Sequence, residues 1–219
     1  MPGKLKTYLI LGAITIFTIY IIKRKKGKSN FKKKLVDLAN EEYNKWNKNG
    51  KKIKEGAVDT LQTLRNYYEQ GAGIKNSDNY YISTPWSATF ISYLMKKAGA
   101  ENDFNYNLSH SAYIREAVQN RKATNNKKFK AYLPNEVIVE VGDLVCYPRQ
   151  SGVSYNSTGS YASHCDLIIS VDNNTAVGVG GNVSNSVSKS NYALKNGKID
   201  KDKDKNDYGG VFTVIKNLK

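Results

Sequence analysis

Cysteine and histidine are scarce in this sequence, with two of each among 219 residues. Cys146 and Cys165 are too few to build a disulfide framework, and no metal-ligand spacing surrounds them, so neither a bound metal nor a cofactor is expected. Two reduced core thiols are the expectation, with one cross-strand disulfide as the alternative. Acidic residues are missing altogether from residues 1–34, which hold ten Lys or Arg. The net charge of +15 therefore sits mostly at one end, and the remaining 24 basic and 19 acidic residues leave only +5 for the body. A charge so distributed argues against a nucleic-acid-binding body and for headgroup contact at a membrane edge. No internal repeat is present.

What the N-terminus does have is an apolar run, "TYLILGAITIFTIYII", from Thr7 to Ile22, closed by "KRKKGK". It is slightly shorter than the roughly 20 residues a spanning helix prefers, but snorkelling basic flanks can make up the difference. No small-residue cleavage site follows it, so a signal peptide is the weaker reading. One transmembrane helix is expected, with residues 1–30 as membrane anchor and 31–219 as a single domain. The heavier positive cluster after the run places that domain on the cytoplasmic side.

Helical spacing dominates the first half of the body. "FKKKLVDLANEEYNKW" sets Phe31, Leu35, Leu38, Tyr43 and Trp46 on one stripe, and "NKNGKK" ends it. "IKEGAVDTLQTLRNYYEQG" predicts a second helix with Ile53, Ala57, Leu61, Leu64 and Tyr68 inward and Gly71 at its end. "TPWSATFISYLMKKAG" predicts a third, with Thr84 as N-cap, Pro85 at the first position and Gly99 as terminator. A fourth is expected from Ser109. Beyond Pro134 the pattern changes to short strands, "EVIVEVGDLVCYP", "SHCDLIISVD", "TAVGVGG" and "GGVFTVIKNL". Helices followed by strands predict an α+β fold with an antiparallel sheet.

Two tempting motifs fail. "DKDKDKNDYGG" spaces acids like a calcium loop, but Lys205 occupies the glycine position and Val211 the closing glutamate position. "GVGGN" resembles a phosphate cradle, yet no helix pattern follows to supply amides.

The candidate chemistry is sparse and therefore easy to enumerate. Ser87 shares an inward stripe with Phe90, Ile91, Leu94 and Ala98 near a helix start, where the dipole favours a developing anion. Read alone, it is a helix-start residue chosen for local hydrogen bonding. His164 opens a strand and can serve as a general base there. Asp166, two residues on, shares its face, and Asn182 ends the next strand. Either can hold the imidazole in its working tautomer, and adjacent-strand geometry favours Asn182.

Taken together, "PWSATFISYLMKKAG", "HSAYIREA", "VGDLVCYPR", "SHCDLIISVD" and "GGNVSNSV" resemble a bacterial and phage domain family of formerly unknown function. That family is similar to the papain-like cell-wall hydrolases, the cysteine, histidine-dependent amidohydrolase/peptidases (CHAP) and their NlpC-type relatives. The resemblance spans roughly residues 35–190, including "ANEEYNKW". It implies N-terminal helices packed on a small antiparallel sheet, with Ser87 at the nucleophile position, His164 as base and Asn182 as the orienting residue.

The departure is Ser where those hydrolases carry Cys, and a hydroxyl needs a better-placed base and oxyanion hole than a thiol does. Two functions follow. One is a membrane-anchored peptidoglycan hydrolase cleaving peptide or amide bonds, with Trp86, His110, Tyr113 and Arg149 lining the substrate groove. The other is an inactive peptidoglycan-binding or structural module of the same fold. Cys146 or Cys165 as nucleophile is a third, weaker option, since both lie in apolar strand patterns. A wall enzyme on the cytoplasmic side would be separated from its substrate, and a location in the internal membrane of a phage virion resolves that conflict. The expected partners are peptidoglycan, a lipid membrane through the N-terminal helix and virion capsid proteins, with no specific nucleic acid.

Overall fold

Apolar spacing in the first segment produces a helix, α1, that runs through residue 46 and buries Phe31, Leu35, Ala39 and Trp46. The structure is a computed structural model that describes residues 30–123, 125–204 and 206–219. After α1 the chain reverses in a small hairpin, β1 (Asn47–Lys48) and β2 (Lys51–Lys52), through Asn49 and Gly50, both at positive φ. Asn-Gly is the pair that such a turn favours.

The second helix is shorter than its spacing predicts. Residues 55–60 form turns and a bend, with Gly56 at φ 86° and Val58 almost fully exposed, so Ile53 and Ala57 lie outside the helix. Helix α2 spans Leu61–Asn66 and continues as a wider π-helical turn, Tyr67–Ala72, closed by left-handed Gly73. Gly71 lies against α4 (Ser87–Ala98), where an added Cβ would sit 2.6 Å from the Thr89 carbonyl oxygen. Between them α3 (Asp78–Ser83) starts at Ser77, whose hydroxyl accepts the Tyr80 N–H. Gly99 ends α4 at φ 96° as expected, and α5 runs His110–Lys122.

Seven strands form one antiparallel sheet in the order β3-β9-β4-β5-β6-β7-β8. They are β3 (Phe129–Tyr132), β4 (Leu144–Pro148), β5 (Ser163–Val171), β6 (Thr175–Gly180), β7 (Ser188–Lys195), β8 (Lys198–Ile199) and β9 (Thr213–Asn217). The α+β architecture with an antiparallel sheet is therefore present. β4 starts later than its apolar run predicts, because Gly142 takes φ 89° and buried Asp143 turns inward. The carboxylate of Asp143 accepts from Lys216 Nζ at 2.6 Å and from the Asn217 and Glu140 amides, tying β9 to the start of β4.

Period-two alternation divides the sheet into two faces. Cys165 and Leu167 of β5 join the helix-side core, whereas Ile168 joins a second cluster with Val145, Tyr192 and Val214. Cys146 and Cys165 are directly opposite in the β4/β5 register, 4.1 Å apart at Cα, and form a disulfide. The expectation of two reduced thiols is thereby corrected: both point to the same face from paired positions.

The membrane expectation also changes. Among the described residues no helix is long and apolar enough to cross a membrane, so the structure gives the single-pass location no support. The run from Thr7 to Ile22 on which it rested lies outside the described residues.

Candidate active site

An aromatic stack sets where α4 begins. Trp86 is wholly buried, stacked on Trp46 at 4.9 Å and on Tyr67 at 5.6 Å between ring centroids. Its indole N–H donates to the Glu55 carboxylate. Trp46 Nε1 donates to the Tyr67 hydroxyl at 2.9 Å, which in turn donates to buried Glu42 at 2.5 Å. Each buried polar group in the stack thus has a partner, which is what makes so large an aromatic cluster tolerable. Trp86 is the residue preceding the helix, not part of its first turn, and Ser87 is the first helical residue. Thr84 caps the end of α3 instead.

Ser87 opens onto a cleft of about 390 Å³ that is also lined by Ser109, His110, Arg149, His164 and Asn182. Its Oγ lies 2.7 Å from His110 Nε2. His110 is the first residue of α5 and is 4% exposed; its Nδ1 is hydrogen-bonded to the hydroxyl of Tyr113, one turn further on. Burial, with His164 and Arg149 adding to it, holds His110 well below the ordinary imidazole range, so the ring is neutral near pH 7.

His164 approaches from the sheet. Its ring centroid is 5.1 Å from that of His110 and 5.2 Å from that of Tyr147. His164 Nε2 donates to Asp166 Oδ1 at 2.9 Å, while the Tyr192 hydroxyl donates to Oδ2 at 2.7 Å. Burial pushes the Asp166 carboxyl up, but the hydrogen bonds from His164, Tyr192 and Ser190 outweigh it and hold Asp166 below the usual carboxylate range. An ionised Asp166 keeps a proton on His164 Nε2 and leaves Nδ1 outside the pair. Burial, reinforced by Asp166 and opposed by Arg149, pushes the Tyr147 phenol up to about 12.

Three glycines make room for this arrangement. A Cβ on Gly180 would lie 2.0 Å from Asp166 Oδ1 and 2.7 Å from His164 Nε2. One on Gly178 would meet Asp166 Cβ at 2.8 Å, and one on Gly181 would meet Phe90 Cβ at 2.6 Å. Gly181 thereby lets the end of β6 approach the first turn of α4, bringing Asn182, at φ 56°, to the cleft. The "GVGGN" sequence serves close approach, as glycines within strands commonly do.

The structure therefore brings together Ser87, His110, His164 and Asn182 at one cleft with Arg149 at its exposed rim, and puts Asp166 beneath His164. It does so with different pairings from those the sequence predicts. Ser87 bonds to His110, whereas no hydrogen bond joins it to His164 among the described residues. Asp166, rather than Asn182, engages the His164 imidazole. Trp86 and Tyr113 do not line the cleft: the first packs in the core, and the second, 2% exposed, acts on His110 from behind. The cysteine alternative is removed, because Cys146 and Cys165 are bonded to each other. Sequence pattern singles out neither Tyr192 nor Tyr147; Tyr192 lies on β7, whose polar run "SKSNYALK" carries little apolar alternation to mark it.

Fold and cleft together define an α+β protein with a hydroxyl at a helix start, bonded to one buried histidine and sharing its cleft with a histidine–carboxylate pair. The chain belongs to a bacterial family whose profile, described as an uncharacterized protein conserved in bacteria (DUF2272), matches residues 43–210. No curated protein and no solved structure gives a significant match.

Proposed function

We propose that this chain is a hydrolase of peptide or amide bonds in cell-wall peptidoglycan, with Ser87 as nucleophile, His164 as general base and Asp166 as the residue that orients the base. The observation that carries this reading is the cleft itself: Ser87 Oγ, held at 2.7 Å by one imidazole, shares it with a second imidazole backed by an ionised carboxylate. A serine hydroxyl needs such a base to act as a nucleophile. The resemblance of "PWSATFISYLMKKAG", "SHCDLIISVD" and "GGNVSNSV" to the papain-like CHAP and NlpC-type hydrolases supplies the substrate class. A helix-borne nucleophile followed in the chain by a strand-borne histidine is compatible with a papain-like arrangement.

In this reading His164 takes the Ser87 proton as Oγ bonds to the substrate carbonyl carbon. Free backbone N–H groups in the first turn of α4 stabilise the oxyanion. His164 then passes the proton to the departing amine, and water completes the hydrolysis with the same histidine as base. A second reading, a peptidoglycan-binding module without chemistry, is favoured by the lack of a Ser87–His164 hydrogen bond among the described residues.

A fluorophosphonate probe separates the two. Labelling of the wild-type chain that is lost in Ser87→Ala, together with release of free amino groups from purified peptidoglycan, supports the hydrolase. Retained sedimentation with peptidoglycan, without labelling or product, supports the module. New reducing or anhydro sugar ends would overturn both in favour of a glycan-cleaving enzyme.

A further inference from the structure

The reaction outlined above uses His164 and leaves His110 without a task, although His110 is the histidine that contacts the nucleophile. We propose that His110 is a second catalytic residue, a neutral imidazole that donates a hydrogen bond from Nε2 to Ser87 Oγ, with Tyr113 as the positioning residue that fixes this tautomer. The proposal rests on the reading of Ser87 as nucleophile.

Tyr113 is buried, and its phenol has His110 Nδ1 as its hydrogen-bond partner among the described residues. Burial pushes this phenol well above its ordinary pKa, so it keeps its proton. A buried hydroxyl donates where it can, and the acceptor here is Nδ1. A neutral imidazole carries one proton, so with Nδ1 accepting, that proton is on Nε2. Nε2 stands 2.7 Å from Ser87 Oγ and therefore donates to it. The groups facing His110 are consistent with a neutral ring: His164 from β5, Arg149 from the segment after β4, and Tyr113 from its own helix.

The consequence lies in the direction of the serine proton. An Oγ that accepts from His110 must send its own hydrogen elsewhere, and the cleft offers His164, whose Nδ1 is not used by Asp166. His110 thus excludes itself as base and leaves the proton for His164. As that proton leaves, negative charge grows on Oγ and the His110 hydrogen bond strengthens, which is the condition for lowering a barrier. The proton balance closes without His110. Oγ gives its proton to His164 and bonds to the carbonyl carbon; the amine takes that proton as the C–N bond breaks. Water then gives a proton to His164 as its oxygen bonds the carbon, and Oγ recovers that proton as the ester bond breaks.

Two measurements on the full chain test this. In histidine-selective 15N NMR near neutral pH, with His164→Gln used for assignment, His110 is expected as the Nε2–H tautomer, its signal shifting in Ser87→Ala. A proton on Nδ1, or an imidazolium, overturns the assignment. In fluorophosphonate labelling, His110→Phe, which has no donor, is expected to react about 100-fold more slowly, the loss typical of removing one oxyanion donor. His110→Gln, whose amide can still donate, should recover roughly tenfold of that loss, and Tyr113→Phe should lose rate together with the Nε2–H tautomer. Wild-type rates in folded His110→Phe overturn the proposal. If the wild-type chain does not label at all, the nucleophile reading fails separately, and the histidine spectrum still decides the hydrogen-bond assignment.

Discussion

Gly180→Ala adds one methyl group to a strand and should cost about as much as a large-to-small core truncation. Gly180 is not at positive φ, so alanine fits the backbone, and the smaller unfolded-state entropy alone would stabilise the variant by about 0.4–1 kcal/mol. Packing reverses the sign. The new Cβ would stand 2.0 Å from Asp166 Oδ1, 2.7 Å from His164 Nε2 and 3.0 Å from Asp166 Cγ, so the His164–Asp166 pair must open. Overpacking of this kind costs about 1–3 kcal/mol. Separating a charged hydrogen-bonded pair, with both side chains at most 3% exposed, adds roughly 1.5–3 kcal/mol. The net expectation is a loss of about 3 kcal/mol, a large share of the roughly 5–15 kcal/mol that holds a domain folded. Gly178→Ala is the matched comparison: its Cβ would meet Asp166 Cβ at 2.8 Å, Tyr192 Cε2 at 2.9 Å and Asp166 Oδ2 at 3.4 Å, not the Oδ1 that accepts from His164. Urea unfolding at neutral pH provides the assay. A Gly180→Ala variant within about 1 kcal/mol of wild type, or no less stable than Gly178→Ala, would refute the claim that β6 is shaped around the His164–Asp166 pair.

Stability should fall on the acid side because of His110. Its folded pKa lies well below the ordinary 6.5, so below pH 6.5 the unfolded chain binds a proton that the folded chain does not. The stabilisation is complete above 6.5 and declines as pH drops, by at most about 1.4 kcal/mol per pH unit for this one group. Urea titrations across that range should show the slope in wild type and lose it in His110→Gln; equal slopes would count against a buried neutral ring. Lys216→Met should cost about 3–5 kcal/mol at neutral pH, because Asp143 would remain buried without its ammonium partner. Burial already pushes Asp143 up against the opposing effect of Lys216. The deficit of the variant should therefore shrink in acid as Asp143 takes a proton, and a deficit that grows in acid would contradict this account.

Much of the scaffold is readable from local pattern. The end of α4 at Gly99, the start of α5 after Ser109 and the strand over "SHCDLIISV" each carry their own signal of cap, terminator or apolar run. Where tertiary contacts decide, the pattern misleads. Ile53 and Ala57 keep helical spacing, but Glu55 is held in a loop by the Trp86 indole and the Asn185 carbonyl. Thr84-Pro85 reads as a helix start, but the aromatic stack around Trp86 delays the helix to Ser87. Strand β7 is polar at most of its exposed positions, so neither it nor the Tyr192 that it carries toward Asp166 stands out.

The candidate site shows the same division more sharply. Residue types were legible, because only two histidines exist and one opens a strand two residues before an acid. Pairing was not, because it depends on distances between α4, α5 and β5 that no spacing along the chain encodes. His110 lies 23 residues from Ser87 and His164 lies 77, yet it is the nearer one in sequence that makes the bond, through the side-chain contact between the first residues of α4 and α5. What the sequence does record of that packing is written in missing side chains. Gly178, Gly180 and Gly181 each stand where a single carbon would collide with Asp166, His164 or Phe90. A glycine-rich strand end that fails as a phosphate cradle is thus informative in another way, since it marks where a helix start and a histidine strand must come within contact.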